Sequence, residues 1–221
     1  MRSGRDSSWL FNLGAELYAW FTDQDAWRAS CARLADWLPD GARPRVLDLG
    51  CGPGVSALEL ARLRPDARIV GLDIARRMLD EACRRRRAAG LAPGRVDFVR
   101  ADAARLPIRS ETLDAVTGHS FLYLVPDRRA TLAEGRRVLR RGGRLILMEP
   151  GARPASLRGV LGLSRDPRHL VSVALWRPFS RLHGRFTPAS LAATLQSAGF
   201  VGCRVEETLG GLGLLAAAEK P

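Results

Sequence analysis

Cysteine is scarce in this chain, with four residues among 221, at positions 31, 51, 83 and 203. No two of them form a Cys-x-x-Cys pair, and their spacing matches no common metal site. Disulfide frameworks need a denser pattern in a smaller, secreted chain. The sequence therefore argues against a disulfide-stapled fold and predicts no metal site, and we expect reduced thiols in a cytoplasmic protein.

Long apolar runs are also lacking. The longest, residues 209–218, reaches only half of the roughly 20 residues that a membrane helix needs, and glycines interrupt it. The first residues contain no apolar stretch of the length found in a secretory signal. We therefore expect a soluble protein.

Lysine occurs once, as Lys220, so arginine carries almost all of the positive charge in a chain of net charge +12. Such a balance is typical of proteins that bind nucleic acid, anionic membranes or acidic substrates, but the codons of a GC-rich genome give the same composition. The arginines are spread along the chain, which favours the second explanation. Aromatic residues make up only 6% and do not interleave with them as in a stacking surface, so we expect no nucleic-acid partner.

The chain does contain a regular alternation of short apolar strands and helices after residue 45. Before it, apolar residues that recur every three or four positions predict helices over 9–21 and 26–38. Strand, helix and strand at this spacing are typical of βαβ units with a parallel sheet. The predicted strands are 46–49, 69–72, 95–99, 113–117 and 144–148, and the predicted helices are 55–63, 76–89 and 127–139.

The alternation ends after residue 150. A segment rich in arginine, proline and glycine follows, and then a predicted helix over 188–197. Two last strands, 201–208 and 212–218, are joined at Gly210 and Gly211, a pair typical of a hairpin. We predict a single domain over 1–221, made of a helical cap (1–42), a core (43–150), a substrate cap (151–186) and a closing helix with two strands (187–221).

The most informative segment is VLDLGCGPG, residues 46–54, in which an apolar strand runs through three glycines into a helix. Glycine adopts positive φ angles and lets a ligand approach the backbone closely. The following helix start offers free N–H groups and a partial positive charge. This arrangement predicts a ligand site at the end of the first strand.

The spacing of the glycines separates this loop from the dinucleotide pattern. A G-x-G-x-x-G motif would need glycine at position 55, which is Val55. Asp48, two residues before the first glycine, would repel a pyrophosphate and attract an ammonium group. A nicotinamide-dependent dehydrogenase is therefore disfavoured.

The loop closely resembles motif I of the class I S-adenosylmethionine-dependent methyltransferases. Further segments resemble later motifs of that superfamily in order, across roughly residues 30–150, 184–187 and 197–200. The resemblance is nearest to the broad group that holds the ubiquinone and menaquinone C-methyltransferases and many small-molecule enzymes. It implies a Rossmann-like α/β sandwich of three layers, with a mostly parallel seven-stranded sheet of order 3-2-1-4-5-7-6 whose last strand is antiparallel.

The resemblance also implies which residues contact S-adenosyl-L-methionine. Asp73 would hold the ribose hydroxyls, since a carboxylate accepts two hydrogen bonds. Asp102 would accept from the adenine amino group, although aspartate at that place is also a common helix N-cap. The full set expected at the cofactor is Asp48, Gly50, Cys51, Gly52, Gly54, Asp73, Ile74, Met78, Asp102, Ala103 and His119.

By the same resemblance, the methyl group faces the loop after the fourth strand, residues 118–123. His119 and Tyr123 are the candidate catalytic residues, with His119 a base, an orienting donor or a packing residue under the methionine moiety. Phe121 and Tyr123 either shape the pocket or belong to the core. Three further side chains could act as a base, namely Glu149, His169 and His183. No two of these candidates have a spacing that identifies a dyad.

The segment 170–186 combines Trp176, Phe179 and Leu182 with three arginines, Arg177, Arg181 and Arg185, and predicts a basic amphipathic helix. Its apolar face would close the active site or dock on an anionic membrane to reach a lipid or quinone. From the N-terminal cap, Tyr18, Trp20 and Phe21 are candidates to close over the cofactor or to join the core.

Methyl transfer to a small-molecule or lipid-like acceptor is the function this sequence indicates. Two alternatives stay open, an RNA or DNA methyltransferase and a module that binds the cofactor without transferring a methyl group. The loop after the fourth strand lacks the Asn-Pro-Pro-aromatic run of base-flipping enzymes, which argues against the first alternative. We expect peripheral membrane contact at most, and either a monomer or a homodimer.

Overall fold

A computed structural model describes residues 24–41, 43–154, 162–164 and 166–221. The helix predicted over 9–21 lies outside the described residues, as do Tyr18, Trp20 and Phe21. The subdivision of the chain at residues 42, 150 and 186 stays a prediction.

The centre of the fold is a seven-stranded sheet of order β3-β2-β1-β4-β5-β7-β6, as predicted. Strand β7 pairs antiparallel with both β5 and β6, while the pairs among β1 to β5 are parallel. The strands are β1 Arg45–Leu49, β2 Arg68–Asp73, β3 Val96–Arg100, β4 Leu113–His119, β5 Leu139–Pro150, β6 Val201–Thr208 and β7 Gly213–Glu219.

Helices cover both faces of this sheet, which gives the three layers that were predicted. Successive residues of a strand point to opposite faces, so Val46 and Leu47 of β1 belong to two different hydrophobic cores. The helices are α1 Asp25–Ala32, α2 Val55–Leu63, α3 Arg76–Ala88, α4 Arg128–Val138, α5 Pro167–His183 and α6 Pro188–Ser197. Among the described residues, no helix is long and apolar enough to cross a membrane.

Two elements differ from their predictions for identifiable backbone reasons. The helix predicted over 26–38 ends at Ala32, because the amide of Leu34 bonds to the carbonyl three residues earlier, and a 3₁₀ turn follows. Strand β5 begins at Leu139 rather than 144. The glycine turn predicted at 141–143 is an irregularity inside this strand, where Gly142 has a φ of +71° and the pairing with β4 shifts register.

The register places a crevice at the carboxyl end of β1. Asp48 lies beside Gly71 of β2 on one side and beside Thr117 of β4 on the other. The chain leaves β1 toward β2 and β3 and returns to β4, so the strand order reverses at this point. Ligands of open α/β sheets bind at such reversals, outside the carboxyl ends of the strands.

Candidate functional site

A cavity of about 350 Å³ opens at the carboxyl ends of β1, β2, β3 and β4. Pockets for small organic ligands are commonly 300–1,000 Å³, so its size suits a nucleoside rather than a lone ion. Eight of the eleven residues expected at the cofactor line it: Gly50, Gly52, Asp73, Ile74, Met78, Asp102, Ala103 and His119.

The glycine loop forms one wall of this larger cavity with its backbone. Gly50, Gly52 and Gly54 have φ angles of +61°, +52° and +84°, a region that side-chain-bearing residues rarely adopt. A Cβ on Gly50 would lie 2.2 Å from the ring of Phe121. The loop can therefore take this path, and Phe121 can pack on it, only with glycine at these positions.

Cys51 and Gly54 hold the loop from behind and do not line the cavity. The amide of Cys51 donates to the carbonyl of Leu72 (3.0 Å), which ties the loop to β2. Burial is the main cause that raises the pKa of its thiol, so the group stays protonated. A Cβ on Gly54 would meet Ala82 and Phe98 at 2.9 and 3.0 Å, so this glycine allows close packing against α3 and β3.

Asp73, the last residue of β2, connects the loop to the cavity. Its Oδ2 accepts from the amide of Gly52 (2.9 Å) and its Oδ1 from the amide of Ala75 (2.8 Å). Burial raises its pKa, and bonds from the backbone amides of Ala75, Gly52 and Ile74 oppose that rise. A carboxylate has about four acceptor positions, so two remain for a pair of ligand hydroxyls.

Asp48 does not line the cavity, and its predicted place at the cofactor stays a prediction. Its carboxylate is fully buried and accepts from the hydroxyls of Thr117 (2.8 Å) and Ser56. Burial raises its pKa to about 6. The bonds from these two hydroxyls hold the Asp48 carboxylate beneath the glycine loop. Its negative charge therefore acts on a ligand in the cavity only through space.

Two residues that are expected on the adenine side lie at the cavity. Asp102 and Ala103 line the cavity, and Asp102 Oδ1 accepts from the amide of Ala104 (2.9 Å). A turn rather than a helix follows, so the N-cap alternative does not hold, and Oδ2 remains for a ligand. Met78 is buried beside it while Ile74 is 48% exposed, and together they offer apolar surface for a flat ring.

A second, smaller cavity of about 40 Å³ lies beside the larger one. His119 and Ser120 line both cavities, so these two residues form a wall that the cavities share where they meet. Its other sides come from α1, α5, the end of β5 and the start of β7. Lining residues from these elements include Trp27, Ser30, Glu149, His169, Trp176 and Leu212.

His119 is buried in this shared wall. Its Nε2 lies 2.8 Å from the hydroxyl of Ser30, and its ring packs against Trp27 with centroids 4.6 Å apart. Burial lowers its pKa to about 4, so the ring is neutral near pH 7. The next residue, Ser120, has a φ of +52° and donates its amide to the carbonyl of Met148 (2.6 Å).

Glu149 holds the wall in place. Its Oε1 accepts from the amides of Phe121 (3.1 Å) and Leu122 (2.7 Å), and its Oε2 from that of Tyr123 (3.2 Å). Burial raises its pKa to about 7 against the effect of these bonds. Both oxygens accept from the backbone, so Glu149 positions the loop, and its role as a base stays a prediction.

The remaining candidates for catalysis, Tyr123, His183 and His169, differ in whether they line a cavity. Tyr123 lies in the hydrophobic core with 4% exposure and lines neither cavity, so its predicted catalytic role is not supported. His183 bonds through Nδ1 to the carbonyl of Phe179 (3.0 Å) and also lies outside both cavities. His169, by contrast, lines the smaller cavity together with His119 and Glu149.

Helix α5 differs from the predicted basic amphipathic helix in where its arginines point. Arg177 does not belong to an exposed basic face, because its guanidinium is buried and donates to the carbonyls of Gly151 (3.0 Å) and Arg153. Arg185 turns inward to the hydroxyl of Ser180 (3.0 Å). Trp176 lines the smaller cavity, so this helix closes the site with one side.

Several of these residues could not be found by local sequence reasoning. Ser30, Trp27 and Trp176 reach the smaller cavity from helices about 90 and 60 residues away from His119, and their segments carry no recognisable motif. Thr117 and Ser56 are likewise ordinary strand and helix residues until the fold brings both to Asp48.

Comparison with known proteins supports this reading of the fold. Residues 46–143 match the family described as a methyltransferase domain. The demethylmenaquinone methyltransferase of Thermus thermophilus is 37% identical over 154 residues, which cover 70% of this chain and 62% of that protein. The 27-O-demethylrifamycin SV methyltransferase of Amycolatopsis mediterranei is 38% identical over 115 residues, covering 52% of this chain and 42% of that protein. The chain therefore spans less than two thirds of the length of these relatives.

A solved structure shares the fold over nearly the whole chain. Phosphoethanolamine N-methyltransferase 2 of Haemonchus contortus, in complex with S-adenosyl-L-methionine, superposes with a TM-score of 0.70 at 17% identity, over 98% of this chain and 58% of that one. Residues 46–143 thus form a methyltransferase domain, and in its glycine loop and sheet order the chain is similar to the class I S-adenosylmethionine-dependent methyltransferases, whose cofactor is S-adenosyl-L-methionine.

Proposed function

We propose that this protein binds S-adenosyl-L-methionine in the larger cavity and transfers its methyl group to a small-molecule or lipid-like acceptor, leaving S-adenosyl-L-homocysteine. The observation that carries the proposal is Asp73 at the end of β2, joined to the amide of Gly52 and still open to the cavity. This is the arrangement that a ribose with two free hydroxyls requires.

The residues present fit the cofactor on chemical grounds. Asp73 would accept from the ribose hydroxyls, and Asp102 from the amino group of adenine. Met78 and Ile74 would contact the base, and the backbone of Gly50 and Gly52 would border the amino-acid portion. When bound, the cofactor supplies a methyl group already activated by a positively charged sulfur.

The protein then has two tasks, orientation and exclusion of water. Orientation of reacting groups can contribute roughly 7–11 kcal/mol to a rate, so a strong base is not required for every acceptor. The two cavities meet at the wall formed by His119 and Ser120, and Glu149 fixes the residues that follow this wall through three backbone amides. A methyl acceptor in the smaller cavity would meet the cofactor at this wall.

The relatives support a small organic acceptor. Their names refer to a demethylmenaquinone and to a demethylrifamycin, both of them organic molecules. The test is transfer of isotopically labelled methyl from S-adenosyl-L-methionine into a panel of quinols, phenols, polyketides and RNA. Label in an organic acceptor supports the proposal, and label in RNA alone would contradict it. Cofactor binding with no labelled product from any acceptor would favour a non-catalytic binding module.

Peripheral contact with an anionic membrane stays a prediction. On α5, Val171, Leu175 and Leu182 are exposed, the last of them by 83%. Co-sedimentation with anionic vesicles at low salt tests it, with neutral vesicles as the control. Absence of binding to the anionic vesicles would remove this hypothesis and leave α5 with the role of closing the site.

A further inference from the structure

The smaller cavity contains buried polar atoms that lack partners. Within the residues that the structure describes, Nδ1 of His119, Nε2 of His169 and Nε1 of Trp176 are buried and make no hydrogen bond, and all three residues line this cavity. A buried polar group without a partner destabilises the folded protein, so such atoms rarely gather by chance. Three of them around one cavity indicate a polar ligand group.

The tautomer of His119 follows from its neighbours. Ser30 has one hydroxyl hydrogen, and we assign it to the carbonyl of Trp27 (2.7 Å), which can only accept. With this assignment, the same hydroxyl oxygen, 2.8 Å from Nε2 of His119, accepts from an Nε2–H. A neutral imidazole carries one ring hydrogen, so Nδ1 is left as a bare acceptor.

The charge of the cavity wall limits the ligand. No arginine or lysine lies among the described lining residues, and the only carboxylate there, that of Glu149, is occupied by three backbone amides. Most of the other lining residues are apolar, among them Met148, Val173 and Leu212. Burying an unpaired charge in such a cavity would be very costly, so the ligand group is uncharged.

We propose that the smaller cavity holds the reacting hydroxyl of an uncharged methyl acceptor, and that this hydroxyl donates to Nδ1 of His119 in the tautomer fixed by Ser30. The proposal rests on the proposed function for the identity of the ligand as methyl acceptor. His119 is here the group that binds and orients the hydroxyl, and Ser30 is a positioning residue that acts through it.

The size and the other donors agree with a hydroxyl. A hydroxyl both donates and accepts, and Trp176 Nε1–H offers it a donor beside the acceptor on His119. About 40 Å³ holds roughly three water molecules. The cavity therefore admits the reacting end of an acceptor such as a phenol or enol, while the rest of the molecule lies outside it.

Nuclear magnetic resonance of the histidine rings tests the tautomer directly. The chain has three histidines, so ¹⁵N-histidine labelling gives only three rings to assign. We expect His119 to show a protonated Nε2 and a bare Nδ1. Ser30→Ala should shift the tautomer ratio at least threefold toward Nδ1–H, because the partner of Nε2–H is gone. A His119 ring with Nδ1–H in the wild-type protein would overturn the proposal.

A matched control exists for the Ser30 variant. Ser197 also donates its hydroxyl to a carbonyl three residues earlier, that of Thr194 (2.8 Å), but lies on the surface at the end of α6. Ser197→Ala removes the same kind of bond and should leave the His119 ring unchanged. If Ser197→Ala moved the tautomer as much as Ser30→Ala, the effect would be general and the assignment to Ser30 would be wrong.

The hydroxyl preference is tested with phenol and toluene as probes, in protein saturated with S-adenosyl-L-homocysteine so that the larger cavity is filled. Phenol should shift the Nδ1 resonance of His119 and toluene should not. Ser30→Ala should weaken phenol binding at least threefold. Equal effects of the two probes, or none from phenol, would overturn the proposal. If S-adenosyl-L-homocysteine does not bind, the proposed function fails, while the tautomer and the phenol titration can still be measured without it.

Discussion

The two cavities that meet at His119 and Ser120 are built on different principles. In the larger cavity, the polar groups of the wall are bound to one another, as Asp73 is to the amide of Gly52. In the smaller cavity, three ring nitrogens of the wall have no partner within the described residues. The larger one is made by adjacent loops of a single sheet edge, and the smaller one by helices and strands that are distant in sequence. Removal of a side chain from the larger cavity should therefore disturb both the glycine loop and ligand binding. Removal of one from the smaller cavity should disturb mainly ligand binding.

The largest effect is expected at the glycine loop. Gly52→Val should abolish binding of S-adenosyl-L-methionine, at least 100-fold weaker by calorimetry, since a branched side chain would enter the larger cavity at a φ of +52°. Gly90→Val is the matched control, because Gly90 has a similar φ of +68° with nothing within 4 Å of an added Cβ. Binding by a folded Gly52→Val protein would show that the loop does not border the ligand.

Glu149 supports the wall that both cavities share. Its ionisation should change the free energy of unfolding over a defined range of pH. Burial raises its pKa from 4.5 to about 7 in the folded protein, so the folded state binds more protons than the unfolded state between these values. The associated stability is present below pH 4.5 and is lost as pH rises to about 7, a difference on the order of 3 kcal/mol.

Denaturant unfolding at pH 5 and pH 7.5 measures this effect. Relative to the wild type, Glu149→Gln should lower the stability at pH 5 minus that at pH 7.5 by about 2 kcal/mol, while the surface variant Glu207→Gln should leave this difference unchanged. The buried Asp48, whose pKa is raised to about 6, acts in the same direction, and His119, whose pKa is lowered to about 4, acts in the opposite direction; both remain in both variants. An unchanged pH dependence in Glu149→Gln would mean that the carboxylate is not buried in the way described.

Substitution of Asp73 tests whether the glycine loop and the ligand depend on the same carboxylate. Asp73→Ala should weaken binding of S-adenosyl-L-methionine about tenfold or more, since hydrogen bonds to a charged group contribute roughly 1.5–3 kcal/mol. Asp66→Ala, beyond the other end of β2 and on the surface, should leave the affinity unchanged. Unchanged affinity in Asp73→Ala, measured by calorimetry, would remove this residue from the site.

The smallest effect is expected at Asp102. Asp102→Ala should weaken binding of S-adenosyl-L-homocysteine about two- to tenfold, the range of one ordinary hydrogen bond. A ligand in which oxygen replaces the adenine amino group should bind the wild-type protein more weakly by a similar factor. The variant should bind this ligand and S-adenosyl-L-homocysteine with almost equal affinity. Equal losses in both proteins would show that Asp102 does not accept from that amino group.

The contrast between the cavities also explains what the sequence could predict. The larger cavity depends on local patterns, such as an apolar strand followed by three glycines, and on Asp73 at the end of the next strand. These positions were predicted, together with the order of the strands. Asp48 was predicted at the cofactor, but its buried partners, Ser56 and Thr117, come from register across β1 and β4 that no local pattern reveals.

The smaller cavity depends on contacts between distant segments, so it could not be predicted in the same way. Ser30, His119 and Trp176 meet only after the helices pack on the sheet. The loop after β4 contains both His119 and Tyr123, and the sequence does not tell which of them enters a cavity. The fold sends Tyr123 into the core and holds His119 at the wall. Arg177 was predicted on an exposed face for the same reason, because its carbonyl partners near residue 151 were not foreseeable.

Calorimetric titration of the purified protein with S-adenosyl-L-methionine and S-adenosyl-L-homocysteine, with NAD as the control, tests the central claim most directly. We predict micromolar binding of the first two ligands and no binding of NAD, because Val55 replaces the third glycine of the dinucleotide pattern and Asp73 is open to a ribose diol. A folded protein that binds neither S-adenosyl ligand would contradict the assignment of the larger cavity and of the glycine loop that borders it.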